Sequence, residues 1–169
     1  PAQPDSTIGP AKAIDGDDST YWESAGNPTN PNPQDLMVQF PYPLTVNKVR
    51  FLAPSADTRP RDYTWAVSTN GSTYTTVVTV NNNSATDVTN TFSAQTNINY
   101  LRLRTTQDGS GAPQRVRVLT LETIGAKITS TGTVAGLNRK VEQKVVADDG
   151  SPQNQVAYDQ IDWTEIVPA

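Results

Sequence analysis

The fold of this chain is decided by the stretch AKAIDGDDSTYW, which occupies residues 11–22. It brings three carboxylates, a hydroxyl and a large aromatic ring together, and Gly16 lets the backbone fold back sharply before Trp22 enters a core. Closely spaced aspartate and threonine oxygens, with carbonyl oxygens of the bend, are the hard ligands that Ca²⁺ prefers. The same residues also fit a plain turn at Asp15-Gly16 whose other acids are solvated. Both interpretations predict an ordered loop.

The composition predicts an all-β protein. A chain of 169 residues is long enough to bury about 70% of its unfolded surface, so a real core is expected. The 13 prolines and 10 glycines, with many Thr, Asn and Ser residues, suit short strands joined by turns.

Alternation of apolar and polar residues indicates where the strands lie. Large apolar residues recur at every second position in 36–40, 49–51 and 63–67, which is the period of a half-buried strand. Asn70-Gly71 is a strong hairpin signal because both positions accept positive φ. Pro41 and Pro43 are predicted to end the first strand before the second begins. Several short strands at this spacing predict a Greek-key or jelly-roll β-sandwich.

The residue types that are missing exclude several kinds of site. The chain has 0 Cys and 0 His, which rules out disulfides, thiolate metal sites and catalytic pairs that use histidine. A net charge of -4 argues against nucleic acid and anionic membranes as partners, and no apolar run is long enough to insert in a bilayer. Asp17 and Asp18 are adjacent in one turn, so their carboxylates diverge and cannot form the facing pair of a glycosidase. We therefore expect no catalytic residues and no enzymatic activity.

The segments AIDGD at 13–17 and STYW at 19–22 resemble the opening signature of the factor V/VIII C-type domain. This discoidin-like, galactose-binding-like family includes many carbohydrate-binding modules. Later segments are similar in the same order, at residues 35–40, 46–52, 63–74, 100–103 and 119–125. The resemblance covers about residues 5–125 and implies a discoidin-like jelly-roll β-sandwich, with a first domain over residues 1–125.

The resemblance also implies a structural calcium ion. In this family the ligands come from the acidic loop and from a glutamate on the last sandwich strand, and the matching residues here are Asp15, Asp17, Thr20 and Glu122. An ion between them would join the first loop to the final strand. The alternative is that Thr20 caps the turn and Glu122 is a solvated strand residue.

The family further implies a recognition function. Its modules bind ligands through loops at one end of the sandwich, so the expected partner is a glycan or cell-surface ligand and the expected location is extracellular or at the cell surface. The candidate loops lie at 22–23, 57–61 and 107–114. The candidate ligand-binding residues are Tyr21, Glu23, Asp57, Arg59, Arg61 and Tyr63, whose rings, carboxylates and guanidinium forks suit a sugar. The alternative is that the arginines are solvated loop charges.

Residues 126–169 lie outside this resemblance and form a second unit. ITSTGTV at 128–134 and RKVE at 139–142 are similar to the C-terminal strands of type IV pilin-like and pilus-assembly proteins. The pattern predicts a β-hairpin appendage over 127–147 and a further strand at 156–167, which must pack on the sandwich or on another chain. The alternative function is therefore the displayed head of a pilus-like surface filament, which assembles through residues 126–169 or needs a helical pilin partner.

Overall fold

The structure, a computed structural model, describes residues 8–110, 114–134 and 137–146. It consists almost entirely of strands, which confirms the all-β prediction. A 3₁₀ turn covers Pro10–Ala13, and the strands are β1 (Trp22–Glu23), β2 (Gln34–Leu52), β3 (Pro60–Ser68), β4 (Thr75–Val80), β5 (Asp87–Asp108), β6 (Arg117–Val118), β7 (Thr120–Val134) and β8 (Leu137–Val146). Among the described residues, no helix is long and apolar enough to cross a bilayer.

Six strands form one antiparallel sheet in the order β4-β3-β5-β2-β7-β8, and β1 pairs with β6 in a two-stranded sheet. The two longest strands, β2 and β5, pair at both of their ends and shift register between Gln39 and Lys48. The first half of β2 therefore joins the part of the sheet that holds β3, and its second half joins β7. The sheet bends back on itself at the shift, and Phe51 on β2 packs edge-on against Tyr63 on β3 with ring centroids 5.3 Å apart.

The prolines at 41 and 43 do not end a strand, so that expectation from the sequence is wrong. β2 is continuous from Gln34 to Leu52, and both prolines lie inside its register shift, between the paired residues Gln39 and Leu44. Proline has no N–H for the ladder, and a bulge is a place where that bond is not required. The two prolines mark the bend of β2.

The core lies inside the bend of the six-stranded sheet and is built from the alternating apolar residues. Among the largest fully buried side chains are Phe51, Tyr63, Trp65, Leu101 and Leu103. Asn90 satisfies two polar groups of this core. Its Oδ1 accepts hydrogen bonds from the Tyr63 hydroxyl at 3.1 Å and from the Trp65 indole N–H at 3.0 Å. Without Asn90, both donors would be buried with no partner.

The burial of Tyr63 predicts a pH dependence of stability. Burial raises the pKa of its hydroxyl to about 12. Because the pKa in an unfolded chain is about 10, the folded state holds this proton more tightly, and stability falls as the pH rises from about 10 to about 12. Between about pH 9 and about pH 11, we expect the wild type to lose about 1 kcal/mol more of its free energy of unfolding than Tyr63→Phe loses. Urea titrations at both pH values measure the difference, and equal losses would contradict the prediction.

The C-terminal hairpin is present as predicted. β7 runs without interruption from Thr120 to Val134, through the predicted domain boundary at residue 125, and pairs with β8 as far as Val134 opposite Leu137. The hairpin therefore extends directly from the sandwich strand that carries Glu122. The further strand predicted at 156–167 lies outside the described residues.

Candidate functional site

The acidic loop gathers oxygen atoms around the hydroxyl of Thr20. Its Oγ1 lies 3.1 and 2.9 Å from the two carboxylate oxygens of Asp15, 3.0 Å from the carbonyl oxygen of Asp17 and 3.5 Å from that of Lys12. A hydroxyl has one hydrogen, so Thr20 can donate to only one of these oxygens. The other oxygens face the Thr20 oxygen without a hydrogen from it. Oxygen atoms held this closely favour a cation among them.

The backbone of the loop holds the Asp15 carboxylate in place. Gly16 adopts a positive φ of 74°, and the N–H of Asp17 donates to Oδ1 of Asp15 at 3.1 Å. Partial burial opposes ionisation of Asp15, but this bond and those from Thr20 and Lys12 outweigh it and hold the Asp15 pKa below its usual value. Asp15 is therefore negatively charged at neutral pH, the state in which a carboxylate binds a cation.

Asp17 contributes its backbone to this group of oxygens. Its Oδ1 accepts from the N–H of Ser19 at 2.9 Å and from the Ser19 hydroxyl at 2.6 Å. The Ser19 hydroxyl, followed by the Ser19 N–H, lowers the Asp17 pKa. The side chain is thus used to close its own turn, and the carbonyl oxygen is the atom that reaches Thr20.

Glu122 lies on the strand that the acidic loop contacts. The hydroxyl of Thr120 donates to Oδ1 of Asp18 at 2.6 Å, and Gly16 and Glu122 line one shared pocket. The Glu122 carboxylate accepts from Arg50 at 3.1 Å. Within the described part of the chain, no three side chains of Asp, Glu, His or Cys come together as a metal cluster. The oxygens that the loop itself offers to a cation are therefore one carboxylate, that of Asp15, and neutral oxygens.

A polar cleft of about 460 Å³ opens where β5 ends and β3 begins. Separate segments of the chain line it, and most of their side chains carry amides, hydroxyls or carboxylates. Those side chains include Thr29, Asn30, Asp62, Asn81, Thr106 and Gln107. Among the described residues, no aromatic side chain lines the cleft, so hydrogen bonds are its main means of holding a ligand.

Asp62, Gln107 and Arg61 form a network at the cleft. With the Gln107 amide oriented to satisfy both contacts, its nitrogen donates to Oδ2 of Asp62 at 2.9 Å and its oxygen accepts from Arg61 at 3.1 Å. Oδ1 of Asp62 accepts from the N–H of Asn82 at 2.7 Å, and Arg61 donates to the Asn82 side chain at 2.6 Å. These bonds hold three polar side chains in one fixed arrangement.

Asp108 and Gly109 hold the loop that follows β5. Oδ1 of Asp108 accepts from the N–H and the hydroxyl of Ser110 at 2.8 and 2.7 Å, and Oδ2 accepts from the N–H of Gln114 at 2.7 Å. Gly109 lies so close to the neighbouring loop that a Cβ would be 1.9 Å from the carbonyl oxygen of Ala56. Any other amino acid there would push the two loops apart, so this wall of the cleft depends on glycine.

Tyr63 is not a ligand-binding residue, and that part of the sequence prediction is wrong. Its side chain is 2% exposed and packs against Phe51 in the core, so it cannot stack on a sugar. The signal was available in the sequence, because Tyr63 shares a strand face with Trp65 and that face points into the core.

Tyr21 and Glu23 lie at β1 and β6, and neither is part of the polar cleft. Glu23 pairs with Arg115 at 3.0 Å and with Arg117 at 2.8 Å. The Arg117 guanidinium lies over the Tyr21 ring, 5.0 Å from its centroid. These four residues form a cluster of their own that joins the two short strands.

Of the residues predicted at 57–61, Arg61 lies on β3 and connects to the polar cleft through Gln107. Arg59 donates to the carbonyl oxygens of Asn83 and Ala56, so it ties two loops together. Asp57 is exposed in the same loop. The structure therefore brings one of these three predicted residues to the cleft.

Asn30, Asp62 and Asn81 are among the polar residues of the cleft that were not predicted from the sequence. Each lies in or beside a segment whose Asn and Pro content predicts a surface loop and nothing more specific. The predicted ligand loop at 107–114 does line the cleft, through Gln107 and its neighbours.

Comparison with solved structures finds carbohydrate-binding modules of the same fold. Chitosan-binding module 1 from a chitosanase/glucanase of Paenibacillus sp. IK-5 is 27% identical, with a TM-score of 0.61, and the match covers 72% of this chain and 88% of that one. Module 2 of that enzyme, in complex with chitotriose, is 21% identical with a TM-score of 0.59 and coverages of 70% and 87%. A family 32 module of Clostridium perfringens, in complex with GalNAc-β-1,3-galactose, is 21% identical with a TM-score of 0.57 and coverages of 71% and 87%.

These structural matches confirm the discoidin-like jelly-roll β-sandwich predicted from the sequence. No curated protein matches the chain. The pilin-like alternative gains no support from any comparison and stays a prediction. The sequence model of the F5/8 type C domain matches residues 2–118, which is more than half of the 169 residues. The chain therefore belongs to the F5/8 type C domain family.

Proposed function

We propose that this chain is a non-catalytic carbohydrate-binding module whose glycan ligand lies in the polar cleft. The observation that carries the proposal is the cleft itself, in which amides and hydroxyls from separate loops face one concave space of about 460 Å³. Fixed donors and acceptors of this kind suit a ligand covered with hydroxyl groups. The chitosan-binding module from Paenibacillus and the Clostridium module with its bound disaccharide support a glycan as the ligand class.

The carboxylates of the cleft support binding without cleavage. Both oxygens of Asp108 accept hydrogen bonds from the loop that follows β5, and both oxygens of Asp62 accept from Asn82 and Gln107. A glycosidase needs one carboxyl to give a proton and a second to act as base or nucleophile across the scissile bond. In this cleft both carboxylates are used to hold the loops.

A calcium ion is the second part of the proposal. The Asp15 carboxylate, the carbonyl oxygens of Lys12 and Asp17 and the Thr20 hydroxyl would hold it, since the other oxygens already lie within 3.5 Å of that hydroxyl. Calcium accepts such mixed oxygen sets, including backbone carbonyls. Glu122 would add a ligand from β7, and the ion would then join the loop to the sandwich. Its role is structural, because these residues do not line the polar cleft.

The proposed place of action is outside the cell or at the cell surface. Polysaccharides that a cleft of this kind recognises are found there, and extracellular calcium would keep an ion bound at the acidic loop. The net charge of -4 gives the chain no attraction to anionic membranes, so the glycan is the group that would hold it at a surface.

Gln107→Ala tests the polar cleft. The change removes the amide that links Asp62 to Arg61 and takes a donor and an acceptor from the glycan, so we expect the dissociation constant to rise about tenfold. Isothermal titration calorimetry with chitotriose and with GalNAc-β-1,3-galactose measures it. Gln95→Ala, a glutamine on the same strand that does not line the cleft, is the matched control and should bind as the wild type does.

Two outcomes would count against the proposal. If the wild type binds neither probe and no glycan on an array, the carbohydrate function is wrong. If it binds chitotriose or GalNAc-β-1,3-galactose and Gln107→Ala binds the same probe equally well, the function stands but the polar cleft is the wrong site.

A further inference from the structure

Two arginines on the outer face of β5 occupy matching positions but differ in their partners. Arg104 lies opposite Asp35 on β2, and its guanidinium donates to both carboxylate oxygens at 2.8 and 2.7 Å. Arg102 comes two residues earlier on the same face, and Met37 stands opposite it in the same register. The first arginine is neutralised across the strand pair, whereas the second faces a thioether that carries no charge.

Arg102 has binding capacity that the protein does not use. Its guanidinium carbon lies 4.3 Å from the centroid of the Tyr74 ring, and among the described residues it forms no ion pair. Its Nε is buried with no hydrogen-bond partner. The Tyr74 hydroxyl donates to the sulfur of Met37 at 3.7 Å, and Met37 is 56% exposed although it is apolar.

The surface beside Arg102 continues as an ordered strip. Tyr100 precedes Arg102 on the same strand face, and its ring packs against Gly71, where a Cβ would lie 3.0 Å from the ring. Gln39 stands opposite Tyr100 and is exposed. We call these residues the sheet-face strip, which consists of Met37, Gln39, Tyr74, Tyr100 and Arg102. Thr106, which lines the polar cleft, is four residues further along β5, or about 13 Å from Arg102 at the rise of a strand.

We infer that the sheet-face strip binds an acidic polysaccharide, with a sugar carboxylate on Arg102 and pyranose faces against the tyrosine rings. The unpaired cation calls for an anionic group, because a guanidinium without a counter-ion gains most from a carboxylate. The side chains around it are phenol and amide groups, which suit a polyhydroxylated chain better than the apolar surface of a protein. This site is separate from the polar cleft and takes a different class of sugar.

Met37→Asp tests the inference directly. The pair of Asp35 and Arg104 shows that an aspartate opposite an arginine in this register neutralises it. The new aspartate of Met37→Asp should therefore pair with Arg102 and lower the affinity for oligogalacturonate about tenfold or more. Met37→Asn introduces a side chain of the same size as aspartate but without charge, so its affinity should stay within about threefold of that of the wild type. Met37 is exposed, so both variants are expected to fold, and circular dichroism checks this.

Each result of the titration decides the matter. The strip would be established as the binding site if the wild type binds oligogalacturonate and this binding weakens with salt. The same binding must also persist in Gln107→Ala and be lost in Met37→Asp. Equal affinity for oligogalacturonate and neutral cello-oligosaccharides would overturn the anionic preference. Absence of oligogalacturonate binding, or equal binding by Met37→Asp and Met37→Asn, would overturn the site and would leave glycan binding in the cleft untouched. Loss of that binding in Gln107→Ala would also overturn the site, because it would place oligogalacturonate in the polar cleft.

Discussion

Replacing Asn90 with leucine is expected to lower the free energy of unfolding by about 2–6 kcal/mol. The Asn90 side-chain oxygen is the acceptor for the Tyr63 hydroxyl and the Trp65 indole N–H, and those two residues are 2% and 0% exposed. Leucine offers no acceptor, so both donors stay buried and unsatisfied, and each costs about 1–3 kcal/mol. Urea unfolding followed by tryptophan fluorescence measures the loss.

A double variant separates the two donors. Tyr63→Phe in the Asn90→Leu background removes one of the orphaned groups, so this pair should be more stable than the sum of the two single changes predicts. Thr89→Ala, an exposed neighbour on β5, is the control and should change stability by less than about 0.5 kcal/mol. If Asn90→Leu unfolds at the same urea concentration as the wild type, Asn90 does not hold the core as described.

The second large effect concerns the proposed calcium ion. At a free calcium concentration about a hundredfold above the dissociation constant, the ion adds about 2.7 kcal/mol to the free energy of unfolding. For a chain of 169 residues, a chelator should therefore lower the melting temperature by roughly 5–10 °C. Asp15→Asn should abolish this difference, because asparagine can still accept the Asp17 N–H bond but removes the one carboxylate at the oxygen cluster.

A matched aspartate gives the control for calcium. Asp57→Asn changes the same charge in an exposed loop and should keep the full chelator effect. No chelator effect in the wild type would remove the ion from the proposal, and a full effect in Asp15→Asn would place the ion elsewhere. Neither result would bear on the glycan, since the cleft and the acidic loop share no residue.

The strands and most of the core could be predicted from the sequence because their signal is local. Phe51 and Trp65 stand in alternating segments, and a strand turns every second side chain to the same face. Trp22, expected to enter the core after the acidic loop, is 5% exposed. The same rule places Tyr63 on the buried face of its strand, and for this reason the ligand-binding role predicted for it is wrong.

Other features could not be predicted because they depend on partners far away in the chain. In the sequence, Asn90 is one polar strand residue among several. Only the fold shows that its side chain accepts hydrogen bonds from Tyr63 and Trp65. Pro41 and Pro43 predict a strand end, and only the register shift between β2 and β5 shows that the strand continues past them. The contrast between Arg102 and Arg104 likewise appears only when their opposite residues on β2 are known.

The fold class, the family and the loop that gathers oxygens at Thr20 follow from the sequence alone, since each depends on residues that are close together in the chain or on an ordered series of segments. Which polar groups share the cleft follows from the three-dimensional arrangement, because residues such as Asn30, Asp62 and Gln107 come from separate segments of the chain. The physical reason is that alternation specifies which way a strand faces, whereas a binding surface depends on which loops the strand pairing brings to the same end of the sandwich.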